Sequence, residues 1–466
     1  MPEYVELLSS QLVIQHWLSA MQQQSGENPL WQSIYVDTTI PEDSRKQSPP
    51  EVRAQDPFQI PLEAPAELPL KAWRKLAEVH FHPRNIILRF MVEGARPHDL
   101  WMRVQMLTHM VSQIYTEEEF KGICTVDKEL RSKIALGLGF TVNLPHAQLG
   151  KKATKFFLVF SSLDLLFTIT YASSREGLGV FPESIFFNFE VVLERIIRWA
   201  TYHRGMNINR YVPLAMRVIR DTGTVFSGVG VYTISEVFYM AGLAPDLTEG
   251  EVFDNPSRFA RLVEAYYSYA ARAHKEIWLY VSPYLKGGYS LAIKNEHRTC
   301  YARRLYVYGK TNATMPLRLQ TQFKELNKLI HSQDRLQCRW QLGYFDPFEP
   351  TYIQEGLKKP HNLGALIFSK GVWEQMGGTI WVNNPLTAYF KNLVPMRWRP
   401  KLPGDSLHLP DPLQDVMFSP KRTFLHASIV SDSKMVSTTY TLPSTYLNGK
   451  LYITDLNELT VRATSR

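Results

Sequence analysis

The first residues that could carry out chemistry are two histidines separated by one residue. His80 and His82 would lie on one face of a β-strand, because side chains two positions apart in a strand point the same way. Imidazole nitrogens are common metal ligands, but a metal site needs three or four ligands. The sequence offers no third ligand at a useful spacing nearby. The pair therefore indicates two structural histidines, and no metal is predicted.

Compact catalytic motifs are missing from the rest of the sequence. The glycine-rich segment 223–230 lacks the lysine of a phosphate-binding loop. The acidic run Glu117–Glu119 has the composition of a solvated helix start. Serine, histidine and aspartate are plentiful, but no spacing brings three of them together as a triad. The sequence therefore predicts no catalytic residue and no cofactor, and it favours a protein that acts through its surfaces over an enzyme.

The bulk composition is that of an ordinary globular protein. The chain has 466 residues, of which 45% are hydrophobic and 21% are charged. Its three cysteines, Cys124, Cys300 and Cys338, have no close spacing, which argues against disulfides and structural zinc. The first residues are acidic where a signal peptide would be basic. These features predict a soluble intracellular protein.

One apolar stretch tests the prediction of a soluble protein. Residues Phe156–Ala172 are almost wholly apolar, but Asp164 lies at their middle. A central carboxylate costs about 2.5–3.5 kcal/mol in a membrane, and the stretch is at the short end of spanning lengths. A buried helix or a pair of buried strands is the better interpretation, so no membrane contact is predicted.

The positive charge is concentrated in one segment. The formal net charge is +8, yet residues 1–50 carry six acidic and two basic side chains, whereas residues 251–400 carry 21 basic and 11 acidic ones. Within the basic segment, arginines and a lysine alternate with tyrosines, a composition that suits RNA because guanidinium groups neutralise phosphates and rings stack on bases. The candidate nucleic-acid-binding residues are Arg298, Arg303, Arg304, Tyr306 and Lys310. An amphipathic strand with its tyrosines in the core, or a subunit interface, would also explain this pattern.

Aromatic residues and arginines elsewhere are candidates for subunit contacts. Rings and guanidinium groups are the side chains that anchor protein interfaces. The candidates near the N-terminus are Trp17, Trp31 and Tyr35, and those in a proline-flanked stretch are Arg397, Trp398 and Arg399.

The chain divides into four segments by composition. Residues 1–24 read as an amphipathic helix, and the many prolines of residues 25–69 predict an extended arm. Residues 70–363 read as a helical body, and residues 364–466 as a proline-rich region that contains strands. The predicted fold class is mainly α with a β-containing C-terminal region: a large irregular helical body with an extended N-terminal arm.

Helical spacing of apolar residues locates the helices of this body. The predicted helices are Leu70–Val79, Asp99–Tyr115, Val126–Leu136, Glu183–Tyr202, Arg210–Arg220, a helix starting with a capping box at Thr233–Glu236, a helix from Pro256 to about Tyr280, and Leu317–Leu336. The predicted C-terminal strands are Thr379–Val382, Thr423–Val430, Lys434–Thr441 and Lys450–Thr454.

In overall character the chain resembles the coat proteins of partitivirus-like double-stranded RNA viruses. The resemblance rests on the proline-rich arm (Ser25–Pro69), the helix-rich body (Leu70–Leu336) with apolar segments such as Phe187–Trp199, and the irregular C-terminal part. It covers most of the chain without matching a signature motif. It implies a capsid subunit that assembles with copies of itself around an RNA genome, in a virion formed in the host cytoplasm. One departure is the acidic N-terminus, where many coat proteins are basic.

Three functions therefore stand as predictions. The first is a self-assembling structural protein, a viral capsid subunit. The second is an intracellular RNA- or DNA-binding protein of a ribonucleoprotein complex, and the third is an enzyme, acting for example on nucleic acid, whose site has no recognisable motif.

Overall fold

A computed structural model describes residues 3–308, with gaps at 36–66, 93–97, 107–109, 126–132, 147–149, 163–166, 207–208, 244–246, 255, 288 and 293–294, and then residues 313–314, 374–375, 389, 427–431 and 434–438. The chain divides into two units. Unit 1 comprises residues 1–184 and 272–301, and unit 2 comprises residues 185–271 and 302–466.

Unit 1 is built on an eight-stranded antiparallel sheet. Its strands are β1 (Leu30–Tyr35), β2 (Glu67–His82), β3 (Asn85–Val92), β4 (His98–Met106), β5 (Met110–Thr116), β6 (Lys133–His146), β7 (Gly150–Ser162) and β8 (Phe167–Ala172). Their order across the sheet is β5-β7-β6-β1-β2-β3-β4-β8. Two helices, α1 (Tyr4–Ser25) and α2 (Glu117–Thr125), belong to the same unit, as does the short hairpin of β9 (Leu285–Lys286) and β10 (Ser290–Leu291).

The connection between β4 and β5 requires the sheet to curl. β4 ends at Met106 and β5 begins at Met110, so four Cα–Cα steps span at most about 15 Å. The two strands are separated in the sheet by five others, which in a flat sheet would place them about 29 Å apart at ~4.8 Å per strand. The sheet must therefore bend until its β5 edge approaches β4, which lies next to the opposite edge.

Helix α1 lies against this curled sheet and contacts β2, β3, β5 and β6. Most of its circumference is buried, so apolar residues occupy several of its faces. Trp17 is fully buried and packs edge-on against Phe140 and Phe156, and Tyr4 packs against Phe81. The helix that was predicted as amphipathic is thus the centre of the unit 1 core.

A second, smaller hydrophobic core lies on the face of β7 that points away from α1. Phe120 of α2 stacks on Phe157 with a ring separation of 3.9 Å and meets Tyr35 edge-on at 5.0 Å. Alternate residues of β7 therefore serve two cores, which explains why the apolar run Phe156–Phe160 has no polar face.

Unit 2 is helical in the part that the structure describes up to residue 271. Its helices are α3 (Phe189–Gly205), α4 (Ala215–Asp221), α5 (Val231–Ala241) and α6 (Glu249–Phe253), followed by the first part of α7 (Pro256–Val281). The boundary between the units falls within α7, and a second boundary follows at residue 301, within α8 (Asn295–Arg304). Further along, β11 (Ala313–Thr314), β12 (Ala427–Ser431) and β13 (Lys434–Thr438) form a small sheet.

The predicted fold class, mainly α with a β-containing C-terminal region, is wrong. Leu70–Val79 belongs to strand β2, and Asp99–Tyr115 contains β4 and β5. In β2 a register shift falls between Leu76 and Glu78, so the buried residues Leu76 and Val79 are three positions apart and imitate helical spacing. The largest element of unit 1 is therefore a sheet where a helical body was expected.

Several predicted segments have other outcomes. Residues 30–35, inside the predicted arm, form the central strand β1, and Val126–Leu136 reaches β6 only at its end. The capping box at Thr233 is also wrong, because α5 begins at Val231 and Thr233 is fully buried. The helix starting at Pro256 is confirmed. Leu317–Leu336, Thr379–Val382 and Lys450–Thr454 lie outside the described residues.

Candidate functional site

Two arginines, a histidine and an aromatic ring lie together on the outer face of the unit 1 sheet, near the turn between β2 and β3. They are Arg103 on β4, Arg175 after β8, His82 at the end of β2, and the ring of Phe181. We call these four residues the cationic cluster.

The pairing of β2, β3, β4 and β8 places a row of polar residues beside this cluster. His82 pairs with Asn85, Asn85 with Gln105, and Gln105 with Thr168. Residues paired in this way project from the same face of the sheet. The Thr168 hydroxyl donates to the Gln105 side-chain oxygen at 3.1 Å, so the row of polar groups is internally bonded.

Within the described part of the chain, the hydrogen-bond acceptors of Arg103 are all neutral. Its Nε donates to Oδ1 of Asn85 at 2.8 Å, and Nη2 donates to Oε1 of Gln105 at 3.1 Å. Its Nη1 donates to the carbonyl oxygens of Leu178 and Val180 at 3.2 and 3.4 Å. Burial lowers the pKa of Arg103, the expected direction for a cation that lacks a nearby anion. The guanidinium group is fixed in place while its charge is not neutralised.

Arg175 and His82 form the second half of the cluster. Nη2 of Arg175 lies 2.9 Å from Nε2 of His82. Arginine can only donate, so Nε2 of His82 accepts this hydrogen bond and the imidazole is neutral. Burial, and then the charge of Arg175, lower the pKa of His82 to about 4, against a smaller opposing effect of the Pro182 backbone.

The ring of Phe181 contacts all three polar members of the cluster. It meets the His82 ring edge-on at 4.3 Å. The guanidinium carbons of Arg103 and Arg175 lie 5.9 and 5.7 Å from its centroid, within the range of cation–π attraction. An aromatic ring and two cations are thus gathered in one place.

No carboxylate pairs with either arginine of the cluster among the residues that the structure describes. Glu176 follows Arg175 in sequence, but it is exposed, and its pKa is lowered first by a hydrogen bond with its own backbone, then by Ser174, with Arg175 a smaller influence. The cluster is therefore a fixed positive centre suited to an external anion.

A neighbouring arginine on the same sheet provides the contrast. Arg89 on β3 forms ion pairs with Glu78 and with Asp99, the latter at 3.0 Å, and lies over the ring of Trp101. These pairs raise the pKa of Arg89, the bond with Asp99 contributing most. Like the arginines of the cluster, Arg89 lies beside an aromatic ring, but its charge is already neutralised.

His80 and His82 bond to different side chains. His80 bonds to Glu78 at 2.8 Å and stacks on Trp101, whereas His82 bonds to Arg175. In the described part of the chain, no three His, Cys, Asp or Glu side chains are grouped as metal ligands. Each histidine has a separate structural partner.

A buried charged group in unit 2 has its arginine paired with two carboxylates of the same unit, although Nη2 of that arginine, Arg210, has no hydrogen-bond partner. Arg210 forms ion pairs with Glu249 and Asp254, both at 2.8 Å, and Asp254 also accepts from the hydroxyl of Tyr211 at 2.9 Å. His203 lies 3.3 Å from the same Glu249 oxygen. These carboxylates are paired with an arginine of their own unit, so their negative charge is balanced within the unit.

The described residues of the predicted nucleic-acid segment are not all at the surface. Arg303 is exposed, but Arg304 is buried beside the ring of Tyr269, and half-buried Tyr306 packs against Tyr239. The side chain of Arg298 and all of Lys310 lie outside the described residues.

The predicted interface residues have other positions as well. Trp17, Trp31 and Tyr35 are buried within unit 1, and Trp31 stacks on Phe90 at 4.6 Å. Arg397, Trp398 and Arg399 lie outside the described residues. The three N-terminal rings thus belong to the core of their own chain.

Comparison with known proteins yields little. No protein-family model and no characterised protein sequence matches the chain. One solved structure with similarity is the crystal structure of a viral DNA glycosylase, at 12% identity and a TM-score of 0.30, covering 65% of this chain and 94% of that one. At this TM-score the similarity defines neither fold nor function. No helix among the described residues has the length and apolar character needed to cross a bilayer.

Proposed function

We propose that this protein binds nucleic acid through the cationic cluster of unit 1. The observation that supports this proposal is a pair of guanidinium groups beside a phenylalanine ring, bonded to neutral acceptors and the imidazole of His82 and paired with no carboxylate among the described residues. Phosphate oxygens would supply the missing negative charge. Arg175, which uses only Nη2 in its contact with His82, is suited to phosphate because arginine can donate two parallel hydrogen bonds, and Arg103 adds its charge.

The composition of the whole chain supports a polyanionic ligand. The formal net charge is +8, and a positive protein accumulates polyanions near its surface. The ring of Phe181, which is half-buried in the cluster, adds an aromatic contact for a base. Phosphate contacts and stacking together are the two contributions that binding to a single strand requires.

The coat-protein function remains a prediction. Its resemblance depended on a helix-rich body from residue 70 onward, and much of that region is a sheet. Nucleic-acid binding depends instead on contacts in described residues, so it is the function we propose.

The test is a titration of labelled single-stranded and double-stranded RNA and DNA with the full chain at several salt concentrations. For Arg103→Gln/Arg175→Gln we expect affinity to fall about tenfold and the salt dependence to weaken by about one unit of slope per lost phosphate contact. Arg175→Gln alone, which leaves the backbone contacts of Arg103 intact, should give about half of this change in slope.

Arg89→Gln is the matched control, because it removes the same charge from the same sheet at a site that is already neutralised. Equal losses in Arg175→Gln and Arg89→Gln would reject the cluster as the binding site. A denaturing gel of the recovered oligonucleotide completes the assay: an intact strand agrees with a binding protein, and a cleaved strand would favour the enzyme alternative.

A further inference from the structure

Helix α3 and the residues at its two ends present one exposed stripe. Its members follow one another at intervals of three or four residues, the spacing that places side chains on a single face of a helix. They are Phe187, Val191, Glu194, Arg198, Tyr202 and Met206, and all six are exposed. We call this set the α3 stripe.

The apolar members of the stripe are unusually exposed. Phe187, Val191, Tyr202 and Met206 have 60%, 49%, 66% and 40% of their surface accessible. The opposite face of α3, including Val192, Leu193, Ile196, Ile197 and Ala200, is buried in unit 2. The outer face of α3 therefore has four exposed apolar side chains around a central charged pair, and this face fits a contact with another molecule.

The order of side chains in the stripe is symmetrical about its middle. Taking the midpoint between residues 196 and 197, Phe187 and Met206 are equally distant from it, and so are Val191 and Tyr202. At 1.5 Å per residue the latter two lie about 8 Å on either side. If a second α3 crosses antiparallel at this midpoint, Val191 of each copy meets Tyr202 of the other. Phe187 and Met206, which flank the helix, come to the same end of the pair from the two copies.

The two charges are complementary across the same midpoint. Glu194 and Arg198 lie about 4 Å and 2 Å from the same midpoint, on opposite sides. Within the described part of one chain neither forms an ion pair, although they are spaced i, i+4. In the antiparallel pair, Glu194 of one copy faces Arg198 of the other, and this happens twice.

We infer that the α3 stripe is the contact surface for a second copy of this chain, in a two-fold dimer. A two-fold interface must be complementary to itself, and a sequence that reads apolar, apolar, acidic, basic, apolar, apolar meets that condition. A different protein partner or a polyanion would need no such symmetry. The inference does not depend on nucleic-acid binding.

The decisive experiment exchanges the two charges in the full chain and measures association by analytical ultracentrifugation. Glu194→Arg alone and Arg198→Glu alone each place like charges opposite each other twice, so the dimer dissociation constant should rise by about tenfold or more. The exchanged variant E194R/R198E should recover the wild-type constant.

A mixture of the two single variants is an independent measurement. In this mixture one variant is basic at both charged positions of the stripe and the other is acidic at both, so a heterodimer restores the two opposite-charge pairs. Equimolar mixing should therefore form heterodimers with about wild-type affinity.

Arg217→Glu changes an exposed charge on α4 and is the control, so it should leave association unchanged. A wild-type chain that stays monomeric at high concentration, or single variants that bind as tightly as the exchange, would overturn the inference.

Discussion

At the residue scale, burial and neighbouring charges keep His82 neutral. Only a neutral imidazole can accept the hydrogen bond that Arg175 donates at 2.9 Å. The pKa of His82 is lowered to about 4, first by burial and then by Arg175. Protonation of this side chain would replace a hydrogen bond with two adjacent positive charges, so the geometry of the cluster is coupled to pH.

The stability of the protein should depend on His82 between pH 6.5 and 4. In this range the unfolded state binds a proton that the folded His82 does not, so the free energy of unfolding falls as the pH falls. The loss approaches ~1.4 kcal/mol per pH unit for one such group. Urea unfolding of the wild type and of His82→Gln at pH 7 and at pH 4.5 measures it, and the variant should lose less stability.

His274 should contribute in the same direction, because burial also lowers its pKa to about 4. The pH dependence of His82→Gln should therefore be reduced and not abolished. Identical losses of stability in the wild type and the variant would contradict the assignment of this effect to His82.

The candidate site could be predicted from the sequence only in part. The spacing of His80 and His82 marks them as polar neighbours on one strand face, but it gives no indication of Arg175, which is distant in sequence. Arg103 lies in a segment whose apolar residues suggested a helix, although Met102, Val104 and Met106 alternate with polar residues as in a strand. The cluster exists only once β2, β3, β4 and β8 are paired, and local patterns do not encode that pairing.

At the element scale, one buried carboxylate fixes the chain that follows α8. Glu236 of α5 accepts hydrogen bonds from the backbone N–H groups of Tyr306, Val307 and Tyr308 at 2.7, 2.8 and 2.9 Å. Three consecutive donors around one anion form a strong, charge-assisted contact. This contact explains why the Thr233–Glu236 pattern does not cap a helix: its glutamate is bound elsewhere.

Glu236→Gln should loosen residues 306–308. The amide side chain is neutral, and its NH₂ group cannot accept from the backbone donors, so we expect a cost of about 2 kcal/mol. Hydrogen exchange of these three amides should accelerate markedly in the variant. Glu118→Gln, at an exposed position of α2, is the control, and equal exchange in both variants would contradict the role of Glu236.

Elements differed in how well their sequences predicted them. Helices α1, α2, α3 and α7 have an apolar face or a clear start signal, such as Pro256 at the first position of α7, and their patterns predicted helices there. The sequence of strand β2 did not predict a strand, because its register shift breaks the alternation of buried residues. Strand β1 was hidden in a proline-rich context, since its partners β2 and β6 decide its structure.

At the scale of the whole molecule, dimerisation and nucleic-acid binding would reinforce each other. A two-fold dimer carries two cationic clusters, so a long strand could engage both. The second contact is then intramolecular and raises the apparent affinity without any new type of contact.

Tyr202→Ala separates the two effects, because it removes an apolar member of the α3 stripe without changing the charge. We expect the apparent affinity for long RNA to fall by about tenfold or more, with no change for an oligonucleotide that reaches one cluster. Fluorescence anisotropy with both lengths measures this difference. An equal loss for the two lengths would indicate a contact of Tyr202 with the nucleic acid itself.

The position of α1 in the chain has a consequence for biosynthesis. The helix is made before every strand that covers it, and β6, against which Trp17 packs through Phe140, ends only at residue 146. At about 5–20 residues per second a ribosome needs several seconds to add that length. During this interval the apolar surface of α1 is exposed, because the strands that bury it have not been synthesised. Nascent chains released before β7 should therefore bind chaperones or precipitate.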